Sequence, residues 1–277
     1  MKLATSEIEL PGSRIGHLFR PERVEEPLPG IVLVQEIWGV DEHIRDVAAR
    51  LAAAGYAVLA PALFSRDGGF PPPLSPERVE RAKRFLDTVP PQAWAGLPDA
   101  AKRAEVLLGL AEGERGPVNE TLAAIFPKNR EELFAGWAKD LALAVAWLRA
   151  SPAVKGRRVG TLGFCMGGAL AAEVATRDPA LCAAVVFYGA PPAADRIARI
   201  ACPFLGHYGA EDARLVQQLP TFEEAMRAAG KTLELHVYPG APHAFFNDTR
   251  RSYRVEASRE AWARTLSFLA DRLGPKV

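Results

Sequence analysis

The six residues Gly163-Phe164-Cys165-Met166-Gly167-Gly168 restrict what this chain can fold into more than any other stretch of it. Apolar, strand-like sequence at 159–164 runs into them, and a run of small helix-forming residues at 168–176 follows, so the backbone must pass from extended to helical almost at once. So sharp a turn brings strand and helix close together and leaves the residue at its apex strained, and a glycine two places to each side of the apex makes room for it. The apex residue here is a cysteine at the start of a helix. A helix N-terminus carries positive partial charge and unpaired N–H groups, which favour a thiolate and can hold an oxyanion. Cys165 is therefore the candidate nucleophile.

The rest of the chain supplies a matching frame. Short apolar runs at 31–36, 56–60, 159–164, 183–188, 204–208 and 233–238 alternate with amphipathic stretches at 41–54, 137–150, 168–176, 213–229 and 254–273. This alternation predicts an α/β fold with a mainly parallel sheet and helices on both faces. Gly55 and Gly230 stand where a helix stop belongs. Residues 7–19 predict an antiparallel edge pair. From about 65 to 135 the alternation lapses, and no apolar strand is expected there. A Gly68-Gly69-Phe70-Pro71-Pro72-Pro73 loop, helices at 76–89 and 99–109, and a break at Gly116-Pro117-Val118-Asn119 before 120–126 predict a helical insertion, either a cap over the site or an embellishment at one edge. We read 1–277 as one domain carrying that insertion.

Composition narrows the class of function. A chain of 277 residues with 49% hydrophobic content can bury a large core, and its net charge of +1, with acids and bases interspersed, offers no footprint for nucleic acid. No stretch approaches the ~18 apolar residues of a membrane span, and the first residues lack an apolar signal core. A cytoplasmic protein acting on a small molecule, as a monomer or homodimer, is expected. Three cysteines make an odd number, which argues against a disulfide framework. No Cys-x-x-Cys or paired-histidine spacing suggests a metal, and no cofactor is expected. Cys182 and Cys202 adjoin apolar runs and read as small core residues.

A thiol nucleophile needs a base, and the base needs a partner to orient it. After Cys165, an acid and a histidine follow at the ends of predicted strands: Asp212 after Gly209, and His243 in Tyr238-Pro239-Gly240-Ala241-Pro242-His243. Loops at the carboxyl ends of parallel strands face the crevice used for ligands. Glu211 is the rival acid. His17, His43, His207 and His236 lie in the leader, in a helix or within strands, and read as structural. Glu36, at the mouth of the first parallel strand, is costly to bury unless paired or used; it either pairs with a cation such as Arg45 or meets Cys165 across the crevice.

Four motifs in order, Val34-Gln35-Glu36-Ile37-Trp38-Gly39-Val40, Gly163-Phe164-Cys165-Met166-Gly167-Gly168, the Gly-x-x-Asp loop ending at Asp212 and Tyr238-Pro239-Gly240-Ala241-x-His243-x-Phe245, resemble the dienelactone hydrolase (carboxymethylenebutenolidase) family. The resemblance spans most of the chain outside the insertion. It implies the α/β-hydrolase fold, a Cys165-His243-Asp212 triad, and Glu36 as an auxiliary acid that holds the resting thiol and helps generate the thiolate. It also implies an oxyanion hole from the N–H groups of Ile37 and Met166, and hydrolysis of esters or lactones through an acyl-enzyme. A thioesterase or acyl transferase with the same triad, or a non-catalytic ligand-binding protein on this scaffold, are the alternatives. Trp38, Arg81 and Arg250 are the candidates for substrate contact. The sequence departs from the family pattern at Asn247, where an arginine that anchors the substrate carboxylate would stand, and at Ala62, where an aspartate is common.

Overall fold

The computed structural model describes residues 2–274, so Met1 and residues 275–277, the ends of the 1–277 unit, lie outside it. Eight strands form one sheet: β1 (Leu3–Leu10), β2 (Arg14–Pro21), β3 (Gly30–Val34), β4 (Ala57–Pro61), β5 (Val159–Phe164), β6 (Ala183–Phe187), β7 (Phe204–Gly209) and β8 (Leu233–Tyr238). Their spatial order is β1-β2-β4-β3-β5-β6-β7-β8. β3 to β8 are parallel, and β1 and β2 form the expected antiparallel edge, with Leu3 opposite Pro21 and Leu10 opposite Arg14. β3 to β7 are buried throughout. This is why they read as continuous apolar runs rather than alternating ones.

Helices cover both faces of the sheet. They are α1 (Glu42–Ala53), α2 (Pro76–Leu86), α3 (Ala100–Leu107), α4 (Glu112–Ile125), α5 (Arg130–Ala150), α6 (Met166–Ala175), α7 (Ala213–Val216), α8 (Leu219–Ala228) and α9 (Val255–Leu273). A β-carbon added at Gly30 would meet Leu148 of α5 at 3.2 Å, and one at Gly160 would meet Leu273 of α9 at 3.3 Å. Gly160 is the register partner of Ile31, the residue after Gly30. Successive side chains on a strand point to opposite faces, so α5 and α9 lie on opposite sides of the sheet. α1 shares the α9 face, with the Arg50 guanidinium 4.9 Å from the ring of Trp262.

Several element bounds shift by a few residues, and three stretches depart further from expectation. α5 begins at Arg130 rather than 137: Glu131 and Glu132 favour its first turn, while Leu133 and Phe134 pack against the core. The stretch 213–229 divides into α7 and α8, because Pro220 enters at the first turn of a new helix. The expected break at Gly116-Pro117 is absent, and α4 runs through it. Continuing the helix buries Val118, Thr121, Leu122 and Ile125 on one face, which offsets the hydrogen bond lost at Pro117. Buried side chains of this insertion, among them Val79, Phe85 and Leu122, belong to the same apolar cluster as the sheet.

Candidate active site

The candidate residues collect at the carboxyl ends of the parallel strands. Cys165 sits between β5 and α6 with φ 53° and ψ −117°, a region a side chain enters only under constraint. The constraint comes from bare backbone on three sides. A β-carbon at Gly163 would overlap the carbonyl of Gly167, one at Gly167 would overlap the carbonyls of Val34 and Gln35, and one at Gly168 would lie 2.8 Å from the carbonyl oxygen of Phe187. The Cys165 N–H donates to that same Phe187 oxygen at 3.0 Å. Strand, turn and helix thus leave the thiol one position, at a cost of about 1–3 kcal/mol in local strain.

The thiol meets His243. Its sulfur lies 3.2 Å from His243 Nε2, and His243 Nδ1 lies 2.5 Å from Asp212 Oδ2. The two loops that carry the histidine and the acid are held in register by their backbones. Glu211 N–H donates to Ala241 O at 3.0 Å, Ala210 N–H donates to Tyr238 O at 2.9 Å, and a β-carbon at Gly209 would be 2.6 Å from the Pro242 oxygen. This placement selects Asp212 over Glu211, whose side chain is exposed. Burial works to lower the His243 pKa, but the Cys165 thiolate and the Asp212 carboxylate outweigh it and raise it to about 10. For Asp212, burial acts upward, while the hydrogen bond and charge of His243, helped by Arg214, bring its carboxyl below the usual range. The arrangement sets the Cys165 sulfur and the Asp212 carboxylate at the two nitrogens of one imidazole, which Asp212 orients through Nδ1.

Glu36 forms the inner wall and is 3% exposed. Tyr188 donates its hydroxyl proton to Glu36 Oε1 at 3.1 Å, and Asn247 Nδ2 donates to Oε2 at 2.8 Å. Burial first, and then the charges of Glu36 and Cys165, raise the Tyr188 pKa well above its ordinary value, so the phenol keeps the proton it donates. Arg45 is not the partner of Glu36: its Nε donates to Val40 O and its Nη2 contacts His17. The thiol hydrogen bond is to His243, and Glu36 is committed to two other donors. The direct Glu36–Cys165 contact implied by the family resemblance is therefore not made in this conformation.

Tyr188 and Asn247 escaped the sequence analysis. The signal for Tyr188 was its place at the carboxyl end of an apolar strand; in the structure it stands beside the site at φ 41°. Asn247 was visible only as a missing arginine.

A cleft of about 1050 Å³ opens over Cys165, Met166, Tyr188 and His243, with Lys128, Arg130 and Arg214 among its rim residues. Glu173 pairs with two further arginines of this wall, Arg177 and Arg196, and offsets one of their two charges. The three expected substrate contacts are not brought to it. Arg250 lies 5.3 and 5.4 Å from the rings of Trp38 and Trp94 and is ion-paired with Asp87 at 2.7 Å. Trp38 is buried edge-on against Trp94. Arg81 is exposed on the outer side of α2, beside Glu77 and Arg84. The insertion folds against the Glu36 side of the site, which engages Trp38 and Arg250 and carries Arg81 away.

The other histidines have structural surroundings: His43 lies between Phe164 and Phe246, and His207 hydrogen-bonds Tyr238 and Thr265 and stacks on His236. Burial raises the Cys202 thiol pKa to about 12, which leaves it unreactive. Among the described residues, no group of three or more His, Cys, Asp or Glu could hold a metal ion, and no helix is long and apolar enough to cross a membrane.

Comparison with known proteins identifies the family and the fold. The family model "Dienelactone hydrolase family" matches residues 15–273. A Saccharolobus solfataricus protein described as "Putative carboxymethylenebutenolidase" is 35% identical over 88% of this chain and 90% of its own length. An Escherichia coli protein of the same description is 32% identical over 93% of this chain and 82% of its own. A solved structure from Klebsiella pneumoniae, described as "Putative Dienelactone Hydrolase", superposes with a TM-score of 0.72 at 27% identity, covering 98% of this chain and 99% of that one. The chain belongs to the dienelactone hydrolase family, and it is a hydrolytic enzyme of the α/β-hydrolase fold.

Proposed function

We propose that this member of the dienelactone hydrolase family hydrolyses small carboxylic esters or lactones through an acyl-enzyme on Cys165. The observation that carries this reading is the unbroken contact from a strained thiol, 3.2 Å from His243 Nε2, to Asp212, 2.5 Å from His243 Nδ1. The thiolate attacks the substrate carbonyl carbon, and the C=O electron pair moves onto oxygen. That oxyanion is held by the N–H groups of Met166, the first residue of α6 and so without an intrahelical acceptor, and of Ile37 in the tight turn from Glu36 to Gly39. As the tetrahedral intermediate collapses, the C–O bond to the leaving group breaks and the alkoxide takes the Nε2 proton of His243. Neutral His243 then accepts a proton from water as the water oxygen adds to the acyl carbon. Collapse expels the Cys165 thiolate, leaving the product acid and the ion pair restored. Asp212 keeps Nδ1 protonated throughout.

Glu36 shapes the field around the sulfur. A buried carboxylate disfavours a second negative charge nearby, so it favours the protonated thiol until substrate enters the cleft. The insertion belongs to the same domain and acts as a fixed wall. The test is p-nitrophenyl acetate turnover with mass spectrometry of the quenched enzyme. We expect an acetyl group on Cys165 and none in Cys165→Ala, whose turnover is lost. Retained turnover in Cys165→Ala overturns the reading, and release of the acyl group to an added thiol or alcohol in preference to water makes the protein an acyl transferase.

A further inference from the structure

Lys83 is a charged residue on α2 that is only 5% exposed. Lysine is almost never buried without a partner, so its contacts state its purpose. Its Nζ donates to Asp41 Oδ2 at 2.7 Å and to Thr249 Oγ1 at 3.0 Å. Asp41 is the N-cap of α1, where its other oxygen accepts from Ile44 N–H at 3.2 Å. Thr249 leads to the site: its hydroxyl and its backbone N–H both donate to Asn247 Oδ1, at 2.7 and 3.0 Å, and Asn247 Nδ2 donates to Glu36 at 2.8 Å.

The direction of every bond in this chain is fixed. An ammonium only donates, so the Thr249 hydroxyl accepts from Lys83 and sends its own proton to Asn247. With two protons already aimed at Oδ1, the amide of Asn247 turns its NH₂ toward Glu36. A flipped amide would set a carbonyl oxygen against a buried carboxylate, and the two would repel. Two further contacts fasten the same loop to the insertion: Arg250 to Asp87 at 2.7 Å, and the Arg250 guanidinium over the ring of Trp94 at 5.4 Å.

We infer that Lys83 is a positioning residue for Glu36, acting from the insertion through Thr249 and Asn247. The insertion in this view is a brace on the buried acid. The inference rests on Glu36 having the role proposed above, and the experiment separates the two. Steady-state kinetics and the pH dependence of Cys165 alkylation by iodoacetamide are measured for Lys83→Met, Lys83→Arg and Thr249→Val, each alone and combined with Glu36→Gln. Thr249 is exposed, so Thr249→Val interrupts the chain even if Lys83→Met fails to fold.

Lys83→Met and Thr249→Val should each lower kcat by about tenfold with KM nearly unchanged and should shift the alkylation profile, Lys83→Arg should recover most of the loss, and neither should lower kcat further once Glu36 is Gln. Arg78→Ala, which breaks an exposed ion pair with Glu120 in the same insertion, should leave both readouts unchanged. Losses that add fully to that of Glu36→Gln, or a Thr249→Val enzyme with wild-type kinetics, overturn the inference alone. A Glu36→Gln enzyme with wild-type kinetics overturns the role of Glu36 and this inference together.

Discussion

Two carboxylates flank the reactive sulfur, and they are held in opposite ways. Asp212 is bonded to a titratable imidazole that lines the cleft. Glu36 is sealed behind the turn and bonded to two neutral donors, a phenol and an amide. An acid paired with a titrating base orients that base and stabilises its charge without taking its proton. One bonded only to neutral dipoles has no such base to orient, and in the role proposed for it Glu36 acts by its field and its position. The difference shows how a single fold holds one carboxylate against a titrating group and another against fixed dipoles, with the distinction set by the partner rather than by the acid.

The largest test of this contrast is Asp212→Asn. It preserves shape but permits the wrong histidine tautomer, and kcat should fall by roughly 10³- to 10⁴-fold in ester hydrolysis. Glu36→Gln should cost less, about 10²-fold, because it removes a field and leaves the nucleophile, base and orienting acid in place. If the two losses proved equal, the division of labour would be wrong.

Acid and base should also differ in the pH range over which they stabilise the fold. His243 binds its proton more tightly folded than unfolded, so its contribution is complete below its ordinary pKa near 6.5 and disappears as pH rises through about 10. The Asp212 carboxyl is held low, so its contribution is present above the ordinary carboxylate range and is lost as pH falls through its folded value. Urea unfolding of wild type and His243→Ala across this range should give a difference that is largest at acid to neutral pH and gone near pH 10. A gap that widens toward pH 10 would contradict the sign. The smallest effect belongs to Arg81→Ala: standing outside the cleft, it should change neither kcat nor KM for carboxylate-bearing esters by more than about twofold, as for most exposed positions.

Much of this was legible before any coordinates. β5 falls on the expected bounds because a buried apolar strand leaves little choice, β8 because Gly230 and Pro239-Gly240 bracket it, and the contact of Cys165, His243 and Asp212 follows the chain order expected once the elbow is recognised. The insertion was harder to read. Gly116-Pro117 looks like a stop, yet burial of Val118, Leu122 and Ile125 outweighs the local preference, and tertiary gain of that kind has no local signature. The same holds for Arg250, a plausible anion anchor by its place after His243, which Asp87 and two tryptophans engage from a distant part of the chain. Asn247 is the instructive miss. Read against the family pattern it is a loss, whereas in the fold it is the hydrogen-bond donor that completes the seat of Glu36.

Gly167 lies against the carbonyls of Val34 and Gln35 with no side chain between them. The separation between the end of β3 and the start of α6 is therefore a backbone contact distance, insensitive to rotamer changes. On heating, the gap between the Ile37 and Met166 N–H groups has no soft spacer through which to widen, so the catalytic apparatus should not loosen ahead of the sheet. Loss of activity and loss of the folded state should share one transition temperature, in contrast to enzymes whose sites rest on pliable loops and fade well below their melting point.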